Sequence, residues 1–401
     1  MKQKDGKEVI FLHPDLGIGG AERLVVDAAL ALEAKNYNVH IVTAHHDKNH
    51  CFQETKNGDL KVTSVGDWLP RSFLGKFTAF WATIRMIWAA LYVAFNFNPD
   101  VIICDQVSNA IPLLRYFSKS KIIFYCHFPD QLLTQRKTFL KKLYRGVMDY
   151  IEEKTTGMAN LILVNSEFTG GVFSDTFSSL RDRSPSVLYP SLNTSTFDQI
   201  VSSQKKSNGN EFTFLSINRY ERKKNIGLAI NALNILQKMK KYADIRLIIA
   251  GGYDHRVKEN VEHYQELVDL AESLGISSKV EFLKSPSDTK KVELLRNADC
   301  LIYTPSKEHF GIVPIEAMYN ETPVIAVNDG GPLETVVEGE TGFLRPPKPE
   351  DFAEAMQEII DIGDDVKRTM GANGKKRVLQ CFSFNAFSNN LDVFVKKVLE
   401  I

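Results

Sequence analysis

The stretch Tyr303-Thr-Pro-Ser-Lys-Glu-His-Phe-Gly-Ile-Val-Pro-Ile-Glu-Ala-Met318 continues an apolar run, Asp299-Cys-Leu-Ile-Tyr303, and reads as a buried strand, a turn and a helix. The turn carries Glu308 and Phe310-Gly311. The first turns of the helix carry Ile312, Pro314 and Glu316. Glycine lets backbone approach a ligand closely, and the free N–H groups of a helix start attract anions. Two carboxylates eight positions apart, one on the loop and one inside the helix, can therefore flank one ligand.

The same strand–turn–helix pattern recurs through the first half. Val9-Ile-Phe-Leu12 is a short strand, followed by His13-Pro-Asp-Leu-Gly-Ile-Gly-Gly-Ala-Glu-Arg23 and a helix with Ala21, Leu24, Val25, Ala28 and Leu32 on one face. The spacing Gly17-x-Gly19-Gly20 is not G-x-G-x-x-G, and no acidic residue closes a ribose pocket after the next strand, Val39–Thr43. A dinucleotide cofactor is not expected; the loop either brings backbone near a substrate or is a tight turn only. Further strands fall at Leu60–Val65, Val101–Cys104, Lys121–Cys126, Leu161–Val164 and Val187–Tyr189, with helical stretches between most of them. Such alternation predicts a parallel, doubly wound α/β sheet. His127, in Tyr125-Cys-His-Phe-Pro-Asp130, sits where a strand leaves the sheet. Ligands bind there in open α/β sheets, although a histidine between Cys126 and Phe128 also suits a core.

Ser191–Asn210, rich in Ser, Asn and Lys, separates this half from a second one, giving expected domains over 1–200 and 201–383 and a last helix over 384–401. The second half opens with Phe212–Ile217 and then Asn218-Arg-Tyr-Glu-Arg-Lys-Lys-Asn225. Arg219 and Lys224 at this junction, with the helix start after them, make a candidate diphosphate site; a solvated charged turn is the other reading. Gly251-Gly252, after the strand Arg246–Ala250, form another close-approach turn. Strands Val280–Leu283 and Val324–Val327 and helices near 350–362 and 384–399 complete the pattern.

With 401 residues, two domains are the default. Lys+Arg and Asp+Glu are equal at 49 each, so no global field recruits nucleic acid. Five scattered cysteines without a C-x-x-C favour reduced thiols over disulfides or zinc. The charged N-terminal residues lack the apolar core of a signal peptide. Phe73–Phe97 is aromatic-rich and interrupted by Lys76 and Arg85; it is either a helix lying in a membrane interface or a core helix covering the sheet. Arg136, Lys137, Lys141, Lys142 and Arg145 form a basic stretch, read as a solvated face or as a surface for anionic lipid head groups or an acceptor diphosphate. His45, His46 and His50 cluster in a polar loop, where a flexible solvated loop is favoured over metal binding.

In order along the chain, these pieces resemble a family-4 glycosyltransferase of the GT-B fold over nearly the whole length. Glu308-His-Phe-Gly-Ile-Val-Pro-Ile-Glu316 is similar to the E-x7-E motif of its retaining members, and Asn218–Asn225 to their phosphate loop. His13–Arg23 and Cys126–Asp130 look like the α-1,3/α-1,6-mannosyltransferases of dolichol-linked oligosaccharide assembly. The resemblance implies two Rossmann-like doubly wound domains facing a central cleft, with the final helix crossing back to the N-terminal domain. It implies GDP-mannose as donor and a dolichol-diphosphate-linked oligosaccharide as acceptor. It further implies action at the cytosolic face of the endoplasmic reticulum membrane, among other transferases of that assembly, with no essential metal or cofactor. By the same resemblance Arg219 and Lys224 hold the diphosphate, Glu316 the ribose, and Glu308 and His127 the mannose. The backbone of Gly17, Gly19, Gly20, Phe310, Gly311 and Ile312, with Gly251 and Gly252, would line the site. Two alternatives are a family-4 enzyme using a UDP-sugar and an inactive scaffold relative, the latter disfavoured by the intact Glu308, Glu316, Arg219, Lys224 and His127.

Overall fold

The computed structural model describes residues 6–70, 78–133, 139–200, 211–239, 242 and 244–401. The chain divides into two compact units: Met1–Ser191 together with Phe384–Ile401, and Leu192–Ser383. Leu192 pairs with Ser383 in an isolated bridge, so the chain enters and leaves the second unit at one place.

Among the described residues the first unit forms a seven-stranded sheet. Its strands are β1 (Glu8–His13), β2 (Asn38–Thr43), β3 (Val62–Ser64), β4 (Val101–Asp105), β5 (Lys121–Cys126), β6 (Leu161–Val164) and β7 (Ser186–Val187). All pairings are parallel, in the order β3-β2-β1-β4-β5-β6-β7. Parallel strands need crossovers that cover both faces, so the strands read as continuous apolar runs. Alternate residues serve opposite cores. Val9, Phe11, Val101 and Ile103 meet the helices Gly20–Ala34 and Phe384–Leu399, whereas Ile10, Leu12, Ile102 and Cys104 meet the helix Thr78–Asn96 and its neighbours.

The helix Thr78–Asn96 settles half of the reading of Phe73–Phe97; Phe73–Phe77 lie outside the described residues. Met86, Ala89, Ala90 and Val93 are fully buried against the sheet, and Arg85 lies on that side too, 6% exposed. Phe80, Trp88 and Phe95 are exposed on the opposite arc of the helix. Among the described residues no helix is long and apolar enough to cross a membrane. In the basic stretch, Arg136 and Lys137 and the side chains of Lys141 and Lys142 lie outside what is described. Arg145 does not face solvent as a lipid contact would: it is 3% exposed and paired with Asp130 at 2.8 Å and Asp149 at 3.2 Å.

The second unit forms a six-stranded parallel sheet, in the order β10-β9-β8-β11-β12-β13. Its strands are β8 (Phe212–Ile217), β9 (Ile245–Gly251), β10 (Val280–Lys284), β11 (Cys300–Tyr303), β12 (Val324–Val327) and β13 (Gly342–Arg345). Elements not expected from the sequence include β13 and the helices Lys258–Ser273 and Asp364–Cys381. The second of these helices carries Gly371 and Gly374 in its interior, where apolar periodicity is faint. A Cβ at Gly371 would stand 2.2 Å from the Glu321 carbonyl oxygen, and one at Gly374 would stand 3.1 Å from Met318. The glycines therefore allow close approach to the helix Ile312–Tyr319 and its end. In both sheets the strand order reverses at one place, between β1 and β4 and between β8 and β11. Ligands of open α/β sheets bind beyond the carboxyl ends of the strands at such a reversal.

Candidate active site

In the second unit, the reversal brings together the segments following β8 and β11. Lys224 lies in the first of these and Glu308 in the second, and the Lys224 ammonium donates to a Glu308 oxygen in a close ion pair. The Tyr303 hydroxyl donates to the same oxygen at 3.2 Å, and the Thr304 hydroxyl donates to the Lys224 carbonyl at 2.7 Å. The Lys224 side chain is only 12% exposed, so its charge acts with little screening. The loop after β12 fixes the Glu308 backbone from behind. Gly331 N–H donates to the Glu308 carbonyl at 2.7 Å, and Cβ atoms on Gly330 or Gly331 would strike the backbone of Glu308 or Phe310 at 2.6 and 2.2 Å. Gly311 adopts φ 79° at the start of the helix Ile312–Tyr319, a conformation that costs other residues strain. Phe310 is buried against Phe382, and Ile312 is exposed.

Glu316, one turn into that helix, is 8% exposed and accepts from Lys291 at 2.6 Å. Burial raises its carboxyl above the usual range, and Lys291 opposes the rise. The structure thus keeps the two glutamates on separate lysines.

The remaining cations of the loop after β8 go elsewhere. Arg219 is 62% exposed and pairs with Glu221 at 2.8 Å, without joining Lys224 and Glu308. Arg222 reaches Glu262 and Glu266, and Lys223 reaches Glu221. Gly251 meets the Asn218 backbone and Gly252 the Arg219 side chain. A Cβ on Gly251 would stand 1.9 Å from the Asn218 carbonyl oxygen, and one on Gly252 would stand 3.2 Å from Arg219 Cγ. Their small size lets β9 end directly beside the Asn218–Tyr220 loop.

In the first unit the reversal gathers a second set of charges. His127, following β5, has Nε2 2.7 Å from an oxygen of Asp105, which ends β4. The other Asp105 oxygen lies 2.8 Å from Nδ1 of His13, which ends β1, and His13 Nε2 lies 3.8 Å from Glu22. His13 and Asp105 are 0% and 1% exposed. Burial disfavours a charged imidazole at His13, but Asp105 and Glu22 outweigh it and raise its pKa to about 9. Burial likewise works against the Asp105 carboxylate, yet His127 and His13 hold its pKa well below the usual range. Both groups are therefore ionised at neutral pH. Gly19 tucks beneath Glu22, whose carboxylate a Cβ there would strike at 2.2 Å; Gly20 faces open space, and Gly17 has nothing closer than 3.7 Å.

Sequence reasoning missed Asp105, His13, Glu22, Tyr303 and Lys291. Asp105 had a signal: a charged residue closing an otherwise apolar buried strand. Lys291 had none. In the histidine loop, His45 pairs with Asp67, and His46 Nε2 lies 3.2 Å from the Thr55 hydroxyl. Among the described residues no group of three His, Cys, Asp or Glu side chains could hold a metal ion.

Comparison with known proteins decides the family. The description "Glycosyltransferase Family 4" matches residues 18–195 and "Glycosyl transferases group 1" matches residues 198–377. The chain is 51% identical to Alpha-1,3/1,6-mannosyltransferase ALG2 of Homo sapiens over 418 residues, covering 100% of both chains. The chain belongs to the alpha-1,3/1,6-mannosyltransferase family. It is also 43% identical to the Saccharomyces cerevisiae member, covering 100% of this chain and 86% of that one. A glycosyltransferase from Rickettsia africae shares the fold with a TM-score of 0.74 at 17% identity, over 98% of this chain and 99% of that one. Anabaena HepE, solved in complex with UDP, shares it at 0.73 and 18% identity, over 97% of this chain and 100% of that one. The mannosyltransferase family and the two-unit GT-B fold agree with the expectation from the sequence.

Proposed function

We propose that the chain moves mannose from GDP-mannose to a mannosyl-chitobiosyl diphosphodolichol acceptor, forming α-1,3 and α-1,6 linkages with retention of configuration. The setting is N-glycan precursor synthesis at the cytosolic face of the endoplasmic reticulum. The observation that carries this reading is the Lys224–Glu308 pair at the reversal between β8 and β11, with Glu316 one turn into the adjoining helix.

Cleaving the mannose–phosphate bond leaves positive charge on the sugar and negative charge on departing GDP, and catalysis rests on stabilising that separation. Lys224 opposes the charge on the leaving diphosphate, and Glu308 opposes the charge on the sugar. Arg219, exposed at the edge of the same loop, swings from Glu221 to the distal phosphate. Glu316 accepts from the ribose hydroxyls, for which its raised pKa requires Lys291 to keep it ionised. His127 positions the mannose and takes no covalent part. These cations meet the leaving charge, so turnover needs no divalent metal.

The lipid part of the acceptor has a matching surface on the first unit. Exposed Phe80, Trp88 and Phe95 line one side of the helix Thr78–Asn96, with Trp68 stacked edge-on to Trp88 at 5.4 Å and Phe117 beside Phe95 at 5.4 Å. Aromatic side chains favour the head-group boundary of a bilayer. The deciding experiment incubates the protein with radiolabelled GDP-mannose and a short-chain lipid-diphosphate acceptor. Addition of two mannoses supports the reading; transfer from UDP-sugars but not from GDP-mannose overturns it.

A further inference from the structure

The charge chain Glu22–His13–Asp105–His127 has more parts than holding one imidazole requires. Asp105 alone would orient the His127 ring. Its carboxylate is instead shared between two imidazoles, and the second, His13, is buried with its own counter-charge, Glu22, behind it. The facing nitrogens of His13 and His127 lie 2.8 and 2.7 Å from the two Asp105 oxygens, off the line of a well-aligned hydrogen bond. We infer that Asp105 is a positioning residue for His127, and that His13 and Glu22 meter the pull which Asp105 exerts on that ring. The inference rests on the reading of His127 as a contact to the transferred sugar.

With Nε2 turned to Asp105, the proton of a neutral His127 sits on that nitrogen, and Nδ1 is the one left to accept from a sugar hydroxyl. The Asn165 side-chain amide donates to the His127 carbonyl at 3.2 Å, which holds the backbone while Asp105 holds the ring. A bare carboxylate would favour the doubly protonated ring. Such a ring has no acceptor and sets positive charge beside a sugar that itself becomes positive. Protonated His13 takes up part of the Asp105 charge, and Glu22 stands 3.8 Å behind it, so less of that charge bears on the His127 ring. Other groups near Asp105 stay neutral: burial and the Asp105 charge push up the Tyr125, Cys104 and Cys126 pKa values. Behind the loop after His127 stands Glu152, which accepts from Asp130 and Gln131 N–H at 2.8 and 3.2 Å and is pushed up to about 7 by burial. Asp130, Asp149 and Arg145 are further described charges on that side.

The test is a double-mutant cycle on the full chain with GDP-mannose and lipid acceptor. His127→Ala and Asp105→Asn are each expected to lower kcat about 10–100-fold while changing the GDP-mannose KM less than about threefold. In the double variant the losses should not multiply; it should be within about threefold of His127→Ala. A fully active His127→Ala overturns the sugar contact and the inference with it. An impaired His127→Ala beside a silent Asp105→Asn, or multiplied losses in the double variant, overturns the inference alone. Should Asp105→Asn not fold, His13→Gln supplies the decision. Removing the positive charge strengthens the pull on His127, so the acid limb of the kcat profile should move to higher pH by about half a unit or more. The profile is repeated in a Glu152→Gln background, because Glu152 titrates in the same range. An unmoved acid limb in both backgrounds overturns the metering role.

Discussion

Replacing Lys224 by alanine separates the charge on the sugar side from the charge on the phosphate side. The variant removes an ammonium whose side chain is 12% exposed and leaves Glu308, 27% exposed, with the Tyr303 hydroxyl as its remaining described side-chain partner. Losing one preorganised charge partner costs about 10²–10³ in rate, or about 2.7–4 kcal/mol of transition-state stabilisation. Breaking the ion pair also costs folding stability. The loss is about 3–5 kcal/mol for a fully buried pair, and partial exposure of Glu308 places this one nearer 1–2 kcal/mol. The kinetic and folding losses are separable in Glu308→Gln/Lys224→Ala, where no carboxylate is stranded. If Lys224 works on the leaving diphosphate, that double variant regains thermal stability but stays slower than Glu308→Gln alone. Initial rates with GDP-mannose, with thermal melts run in parallel, decide the matter. A double variant no slower than Glu308→Gln would refute the reasoning, since Lys224 would then serve only to neutralise Glu308.

For Glu316→Ala, GDP affinity should fall about tenfold, corresponding to about 1.4 kcal/mol, and isothermal titration measures it. Gly371→Ala should destabilise by about 1–3 kcal/mol, because its methyl group would strike the Glu321 carbonyl, while initial rates at low temperature hold. His13 gives a signed pH dependence. Its folded pKa, near 9, lies above the ordinary 6.5, so its stabilisation is complete below about pH 6.5 and fades as pH rises through 9. The gap in melting temperature between the native chain and His13→Gln should narrow over that range, and a gap constant from pH 6 to 9.5 counts against ionised His13. Exchanging Trp88 and Phe95 for serine should weaken co-sedimentation with liposomes and leave the melting temperature unchanged, since both rings face outward.

The α/β alternation was readable because the buried strands are local, mainly apolar runs, several of them followed closely by glycine or proline. The helix Asp364–Cys381 escaped for the opposite reason: its fit depends on Gly371 and Gly374, which local propensity counts against a helix. The shared carboxylate at Asp105 was out of reach in a different way. His13 and Asp105 become neighbours only because β1 and β4 pair across the reversal, and strand order is a long-range property that no window of sequence contains. Lys224 and Glu308 were each visible through their loops. That they bond to each other, while Arg219 turns to Glu221, follows from how the segments after β8 and β11 converge.

The last helix has a consequence for how the protein is made. Phe387, Leu391 and Val395 fill the same core as Ala28 and Leu32, and the Tyr37 hydroxyl donates to Asp392 at 2.8 Å. The first unit therefore waits for residues synthesised after the whole of Leu192–Ser383. At about 5–20 residues per second this delay is on the order of 10–40 s, during which the part of this core that the last helix fills stands uncovered on the ribosome. A nascent chain arrested before Phe384 should bind cellular holdases, and a circular permutant that begins at Phe384 should not.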